Sequence, residues 1–500
     1  MQCLLFADNY TFPLQFNCLP RKKAAVAPNA VPARLNTRIN MKSKFHLPNF
    51  FRSALILASS LIFLTSQAQL TVTQISASDQ PTFSLFLKSD GSLWGMGDNQ
   101  YGMLGITNTV SLTNRPVQAV IFSNDVTAIS AGGSFTLFLR RDGSLWGMGD
   151  NDYGQINSTV FHSTNAPQLI TNGVTAFAAG YNSTYFIRTN GSLWSMGYNY
   201  FGELGDGNYN NTNQPQEIAS NGVTAVSAGF EHALFLKSDG SLWAMGNNEE
   251  GQLGDDSNKG SVQVTNLPDL IIPSGVSAIA GGYQFSLIIM NDGSLWSCGK
   301  NGVGALGQGG EIGTTSNLFA MVVPSGVKAI AAGGETGLFI KNDGSLWGMG
   351  GGVGLGLGTL AYTNVPVEIL PSNVTAVAAG SAWTMIIKGD GSLWVTGNNG
   401  QGQLGDGSYI QTNQFEQILA GSSLPAGYGQ LNGQLLNSGN VRLSYIGLAG
   451  TNYALDRTFN LAPANWVPQT TNPAGAGGTL LLTNTPDSAT NNFWRIRSVP

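Results

Sequence analysis

Between residues 70 and 420 the apolar and polar positions recur in one order. A segment such as Val126–Ala131 (VTAISA) alternates with period two, which predicts a half-buried strand. Phe135–Arg140 then runs apolar without a break, as suits a strand buried on both faces. Asp142-Gly143 follows, and Ser144–Gly149 after it carries Leu, Trp and Met. An Asp-Gly pair between two such runs predicts a tight hairpin in which both turn residues take positive φ. Asn190-Gly191 holds the same place in another copy, with the same turn chemistry. A glycine-rich stretch of the form NxxGQLGDG comes next. The last run opens on Thr-Asn, at Thr113, Thr164, Thr212, Thr265, Thr363 and Thr412. In five of these a proline follows (Pro116, Pro167, Pro215, Pro268, Pro366), and proline belongs on an edge because it lacks a ladder donor. The unit predicts four strands, the fourth outermost.

Gly-Ser-Leu-Trp recurs at Gly91, Gly143, Gly191, Gly240, Gly293, Gly344 and Gly391, with spacings of 52, 48, 49, 53, 51 and 47 residues. A period near 50 marks stacked modules or propeller blades. Seven four-stranded units fall within the ~4–8 blades of known propellers, and no atypical cap ends the series as an open solenoid would require. The prediction is an all-β, seven-bladed propeller over residues 70–420. Composition agrees: 66 of 500 residues are glycine and only 10% are charged, which suits many short strands joined by tight turns.

The N-terminal part follows a different logic. From Met41, Lys42, Lys44 and Arg52 precede an apolar run, Ala54–Leu64, and Thr65-Ser66-Gln67-Ala68 closes it with small residues. This is the layout of a secretory signal peptide over 41–68, cleaved after Ala68. The run is shorter than the ~20 residues of a membrane span, so no span is expected after signal removal. Residues 1–40 fit neither signal nor repeat and read as an over-extended start. Residues 1–68 hold eight basic side chains and one acid, Asp8, so of 23 basic and 28 acidic residues 15 and 27 remain, a net charge of −12. Such a chain is unsuited to nucleic acid, which needs clustered Lys and Arg. Cys3 and Cys18 leave with the signal; Cys298 alone cannot form an internal disulfide.

GSLWGMGDNQYGMLG (Gly91–Gly105), NNGQGQLGDG (Asn398–Gly407) and the AAG-x-x-x-T segments resemble the regulator of chromosome condensation repeats, over about 350 residues. The resemblance implies a seven-bladed propeller that works as a binding platform. Members of that family act in nucleotide exchange on a small nuclear GTPase, in plant ultraviolet sensing, as ubiquitin-ligase accessories and as secreted bacterial β-lactamase inhibitors. Family repeats carry a histidine after the AGG segment. Here that place holds Phe83, Phe135, Ser183, His232, Phe285, Thr336 and Trp383, so only His232 matches and only Trp383 could belong to a photoreceptor-like tryptophan cluster. An exported acidic chain resembles the secreted bacterial members instead.

The seven repeat tryptophans (Trp94, Trp146, Trp194, Trp243, Trp296, Trp347, Trp394) sit at one fixed strand position, which predicts blade-to-blade packing. Binding is expected where the frame varies, in the loops. Gln100-Tyr101, Asp152-Tyr153, Tyr200-Phe201 and Glu249-Glu250 precede the loop glycine in successive blades, so Tyr101, Tyr153, Tyr200, Phe201, Glu249 and Glu250, together with Trp383, form a candidate binding rim. Local packing of these rings against neighbouring loops is the other reading. Catalysis has little support: export leaves His162 and His232, no triad is recognisable, and Asp255-Asp256 and Glu249-Glu250 lack Ca²⁺-loop spacing. No metal and no cofactor is expected.

The repeat stops near Ala420. Residues 421–427 read as a linker, and 428–500 as a small β-sandwich-like domain with runs at 439–446, 452–457, 478–483 and 493–499. Its G-T-N-Y-x-L-x-R-T…W…F-W-R-I pattern resembles a C-terminal module of secreted proteins from environmental bacteria. The sequence thus points to an exported, monomeric, non-catalytic platform for a protein or extracellular polymer. The alternatives are a polysaccharide-active enzyme with carboxylates at the channel mouth, and a structural cell-surface protein.

Overall fold

The computed structural model describes residues 5–7, 70–78, 82–106, 111–119, 124–156, 162–255, 264–358 and 362–421, and six strands after residue 430. The signal segment 41–68 and nearly all of 1–40 lie outside the described residues. The chain divides into two compact units, Gln69–Ser423 and a second that includes Leu424–Pro500.

The first unit is a seven-bladed propeller of four-stranded antiparallel sheets. Blade 1 comprises Val72–Ala77, Phe83–Lys88, Leu93–Asp98 and Leu112–Gln118; blade 4 comprises Val223–Ala228, His232–Lys237, Leu242–Asn247 and Val264–Ile272. In every blade the strands pair in chain order, so the fourth strand, which bears a proline in five blades, is an edge. The second strands are almost wholly buried, as the continuous apolar runs require. Blade 6 departs from the common pattern: Gly352–Leu355 forms one turn of helix where the other blades have non-helical turns.

The turn between second and third strands differs in detail from the expected hairpin. Only its glycine takes positive φ, 81° at Gly91 and 80° at Gly143, while the preceding Asp does not. The Asp side chain does a different job. In blade 1, Asp90 Oδ1 accepts from the Ser92 amide at 2.9 Å and from Ser92 Oγ at 2.6 Å. Ser92 Oγ in turn accepts from the Trp94 indole N–H at 2.9 Å. The serine-to-indole bond recurs in all seven blades at 2.8–3.0 Å. Asn190 serves as well as Asp because only the carbonyl-type oxygen is used.

Each tryptophan lies in an apolar cluster shared with the preceding blade. Trp146 packs with Phe83, Leu85 and Leu104 of blade 1, Trp243 with Tyr185 and Ile187 of blade 3, and Trp94 with Met385 and Leu404 of blade 7. In six blades the cation ending the second strand lies over this ring, as with Lys88 over Trp94 at 3.8 Å and Lys388 over Trp394 at 3.5 Å; in blade 5 that strand ends in Met290.

Closure of the ring uses the same contact as four of the other six blade junctions. Thr136, Thr184, Ser286 and Thr384 hydroxyls donate to loop carbonyls of the preceding blade at 2.7–2.8 Å. Ser84 of blade 1 donates to Gln403 O of blade 7 at 2.8 Å. Loop glycine Gly402 lies so near blade 1 that a Cβ there would stand 2.7 Å from Asn114 Cα, as one at Gly102 would from Asn165 Cα. Both glycines have φ above +80°, so close approach and backbone conformation together exclude a side chain.

The second unit has two sheets. Leu431–Leu435, Val441–Ile446 and Thr479–Asn484 form one; Asn452–Thr458 pairs with Val467–Pro473 and Phe493–Val499 in the other, to which Leu5–Ala7 adds a parallel strand. Leu431–Leu435 and Val467–Pro473 lie outside the runs marked by the sequence pattern.

Candidate functional site

Antiparallel order places the turn between strands 1 and 2 on the same propeller face as the loop between strands 3 and 4. Backbone bonds tie the two together, as from Asn247 N to Glu231 O at 2.8 Å and from Tyr198 N to Asn182 O at 3.0 Å. This face carries an inner ring of Ala-Gly turns around the axis and an outer ring of glycine-rich loops. The Asp-Gly turns lie on the opposite face.

The outer loops are built rigidly. An asparagine side-chain oxygen accepts from the amide five residues on, in Asn99–Leu104 at 2.9 Å, Asn199–Leu204 at 3.0 Å and Asn399–Leu404 at 3.0 Å. The glutamine of the G-Q-L-G motif accepts from the residue before the loop glycine: Gln155 from Tyr153 N, Gln252 from Glu250 N, Gln403 from Gln401 N. In blade 3 a glutamate takes this place, and Glu203 Oε2 accepts from Phe201 N at 2.9 Å. The rim residues therefore stand on pre-ordered backbone.

The structure brings Tyr153 of blade 2 together with the blade 3 loop. Its ring meets Tyr198 edge-on at 4.9 Å, Tyr198 lies 6.5 Å from Tyr200, and Tyr200 meets Phe201 at 5.1 Å. Tyr200 is 68% exposed; Tyr153 and Phe201 are half-buried. Tyr101 of blade 1 is 37% exposed at its own loop. Glu249 is exposed beside this run in blade 4, whereas Glu250 is half-buried and pairs with Lys300 at 3.0 Å. Trp383 is a correction. It opens the second strand of blade 7, is 1% exposed, and donates its indole N–H to Ser84 Oγ at 3.0 Å. A residue facing the blade junction there cannot reach the rim.

The inner ring adds what the loop reading omits. Tyr181, Phe230 and Tyr283 stack in sequence around the axis, each neighbouring pair 4.2 Å apart. They occupy the position two residues before the second strand, which elsewhere holds Pro81, Gly133, Gly334 and Ser381. Repeat alignment at that position was the available signal. A cavity of about 80 Å³ on the axis is lined by Tyr181, Phe230 and the alanines and glycines of the turns, with no carboxylate among its lining residues.

Carboxylates gather instead between the two aromatic sets. Burial pushes Glu203 up to about 8, against the opposing effect of its backbone bonds, with Glu231 nearby reinforcing the rise. Glu231 is also raised by burial, while the 2.9 Å bond from Asn247 Nδ2 works the other way. Burial, Glu203 and Glu231 together push Tyr198 up to about 12. In blade 4, Ala233 replaces the junction hydroxyl, and Tyr185 supplies it by donating to Glu203 O at 2.8 Å.

His232 belongs to the frame. It is 1% exposed and burial lowers its pKa to about 4. Ser286 Oγ donates to Gln252 O at 2.7 Å, so it accepts from His232 Nε2 at 3.0 Å, which fixes the Nε2–H tautomer. The indole of Trp383 makes the same bond to Ser84. Among the described residues no group of three or more His, Cys, Asp or Glu could hold a metal ion, and no helix is long and apolar enough to cross a membrane. Cys298 is buried, which raises its thiol well above the ordinary value.

Fold and site together define a seven-bladed propeller whose varying residues cluster on one face. The chain belongs to the RCC1-like domain family, whose family model matches residues 59–311. Protein RCC2 of Homo sapiens is 28% identical over 82 residues, which is 16% of each chain, and the RCC2 homolog of Xenopus laevis is 29% identical over 73 residues, 15% of this chain and 14% of that one. The match thus spans about a sixth of the length of these relatives or less. Among solved structures, Prp20p from Saccharomyces cerevisiae superposes with a TM-score of 0.60 at 20% identity, covering 68% of this chain and 87% of its own, and was described with its binding properties to Gsp1p and histones. Human WBSCR16 gives 0.57 at 23% identity, covering 64% and 88%. These likenesses show the fold.

Proposed function

We propose that the chain is a non-catalytic binding platform that takes a protein or extracellular polymer on the face of the Ala-Gly turns, centred on blades 2 to 4. The observation that carries this reading is the ring run Tyr153–Tyr198–Tyr200–Phe201 on hydrogen-bonded loops, with Tyr200 left 68% exposed. Exposed aromatics on rigid backbone are what binding hot spots are made of, because little side-chain entropy is lost on contact. The axial cavity, about 80 Å³ with no carboxylate lining it, favours a platform over a polysaccharide-active enzyme, which needs two carboxyl groups across a cleft. The relatives with solved structures include Prp20p, described with its binding to Gsp1p and histones, which supports a protein-binding use of the fold.

The reading includes export through the signal at 41–68, action as a monomer, and a small sandwich-like C-terminal module. N-terminal sequencing of exported protein tests the first and light scattering the second. The platform itself is tested by capture from culture supernatant and envelope fractions with the full chain and with a Tyr153→Ala, Tyr200→Ala, Phe201→Ala variant. Loss of the captured species in the variant is expected; equal capture would remove the rim from the function.

A further inference from the structure

The two faces of the propeller treat charge in opposite ways. On the Asp-Gly face the second strands end in Lys88, Arg188, Lys237, Lys341 or Lys388, each within 4.2 Å of a tryptophan ring centroid. Cation and aromatic ring are there already matched within the chain. On the Ala-Gly face the described residues include two such cations: Lys300, engaged with Glu250 and with Gln284 Oε1 at 2.8 Å, and Arg115, whose guanidinium stands against Gly407 at the junction of blades 1 and 7, away from blades 2 to 4. That face nevertheless holds Glu231, Glu249 and Glu335, and the exposed rings of the blade 3 loop.

We propose that the ligand of this face is a cationic polypeptide segment, whose lysine or arginine side chains seat against Tyr198 and Tyr200 and are neutralised by Glu231 and Glu249. The proposal rests on the platform reading and names the chemistry of its partner. Two features meet in one place. Aromatic faces attract a cation through their quadrupole, most strongly when the pair is partly desolvated. The half-buried Glu231, held by Asn247 at 2.9 Å, is a fixed acceptor beside those rings rather than a free surface charge. Charge of one sign over a large face also speeds the approach of an oppositely charged partner, with marked salt dependence. An anionic polymer would meet net repulsion here. A bare divalent ion would gain nothing from the rings and finds no group of three His, Cys, Asp or Glu among the described residues.

The test uses the full chain and fluorescent ten-residue peptides of arginine, lysine and glutamate, read by anisotropy at low and high salt. Arginine and lysine peptides are expected to bind, with affinity falling as salt rises, and the glutamate peptide not to bind. Glu231→Gln with Glu249→Gln should weaken binding roughly ten-fold, and Tyr200→Ala several-fold. Charge-matched control changes on the opposite face, Asp239→Asn with Asp343→Asn, should leave it unchanged; Asn190 shows that Asn fills that turn position. Equal weakening by the two pairs of changes would mean that net charge alone attracts the peptide, and would overturn the proposal. So would binding of the cationic peptides no tighter than that of the glutamate peptide. If the rim alanine variant still loses its natural partner in that case, the platform stands and only the partner's chemistry falls.

Discussion

The Asp-Gly face and the Ala-Gly face are made by the same seven repeats, yet one is uniform and the other is not. On the first, aspartate (or Asn190), serine, tryptophan and a closing cation (Met290 in blade 5) repeat, with bond lengths that vary by only 0.2 Å at the indole. Each repeat aspartate (or Asn190), serine and indole there is matched to a neighbour, and every repeat tryptophan is used to join two blades. On the second, the frame of asparagine and glycine repeats while the residues mounted on it change from blade to blade. The aromatics that touch one another collect in blades 2 to 5, and acids collect beside them, Glu250 paired with Lys300 and Glu231 held by Asn247. Repetition marks what the ring needs to close. Variation on a repeated frame marks what meets another molecule.

Several changes would sharpen or break that contrast, and the largest effect is expected on the uniform face. Trp243→Ala removes a ring packed against Tyr185 and Ile187 of the preceding blade and should lower unfolding free energy by ~3–5 kcal/mol in denaturant titration. Lys237→Ala, which removes only the cation 4.2 Å above that ring, should cost ~0.5–1 kcal/mol. If the two cost the same, the tryptophan is not a packing residue.

The next effect separates a frame residue from a rim residue within one loop. Glu203 has a folded-state pKa of about 8 against 4.5 when exposed, so between those values the folded chain holds a proton that the unfolded chain has lost. Stability should therefore fall as pH rises through that window, with a slope of up to ~1.4 kcal/mol per pH unit from this group. Glu203→Gln, the residue of blades 2, 4 and 7, should remove that slope and stabilise the protein above pH 8; an unchanged profile would show Glu203 to be ionised in the fold. His232 acts at the other end. Its pKa falls from 6.5 to about 4 on folding, so it contributes stability above pH 6.5 that is lost as pH drops toward 4. His232→Phe, as in blades 1, 2 and 5, should flatten that acid limb in thermal melts. The smallest effect is at the rim: Tyr200→Ala should change stability by less than ~0.5 kcal/mol while reducing partner capture. A large loss of stability there would make Tyr200 a packing residue and end the contrast between the faces.

Much of this was legible from the repeat. Strand order, edge prolines and turn glycines follow from short-range rules applied seven times over, and each copy checks the others. The tight turn is less legible. Asp-Gly suggested two residues of positive φ, whereas only glycine adopts it and aspartate instead caps serine, a choice made by the indole that serine must hold. Trp383 was misplaced for a related reason: it is a variable residue, but at a position facing the blade junction. Tyr181, Phe230 and Tyr283 were missed because each is alone in its own turn and only the ring sets them side by side.

By itself the sequence determined an all-β ring of seven units and the residues that hold each turn, because these depend on neighbours within a few residues and on a period near 50. Only the tertiary structure decided which varying residues share a surface. Tyr153 and Tyr198 are 45 positions apart in the chain and 4.9 Å apart in space, and Glu203 meets Glu231 across two blades. Closure of the ring brings equivalent positions of adjacent blades together. Burial between those blades then decides which carboxyl groups keep their protons.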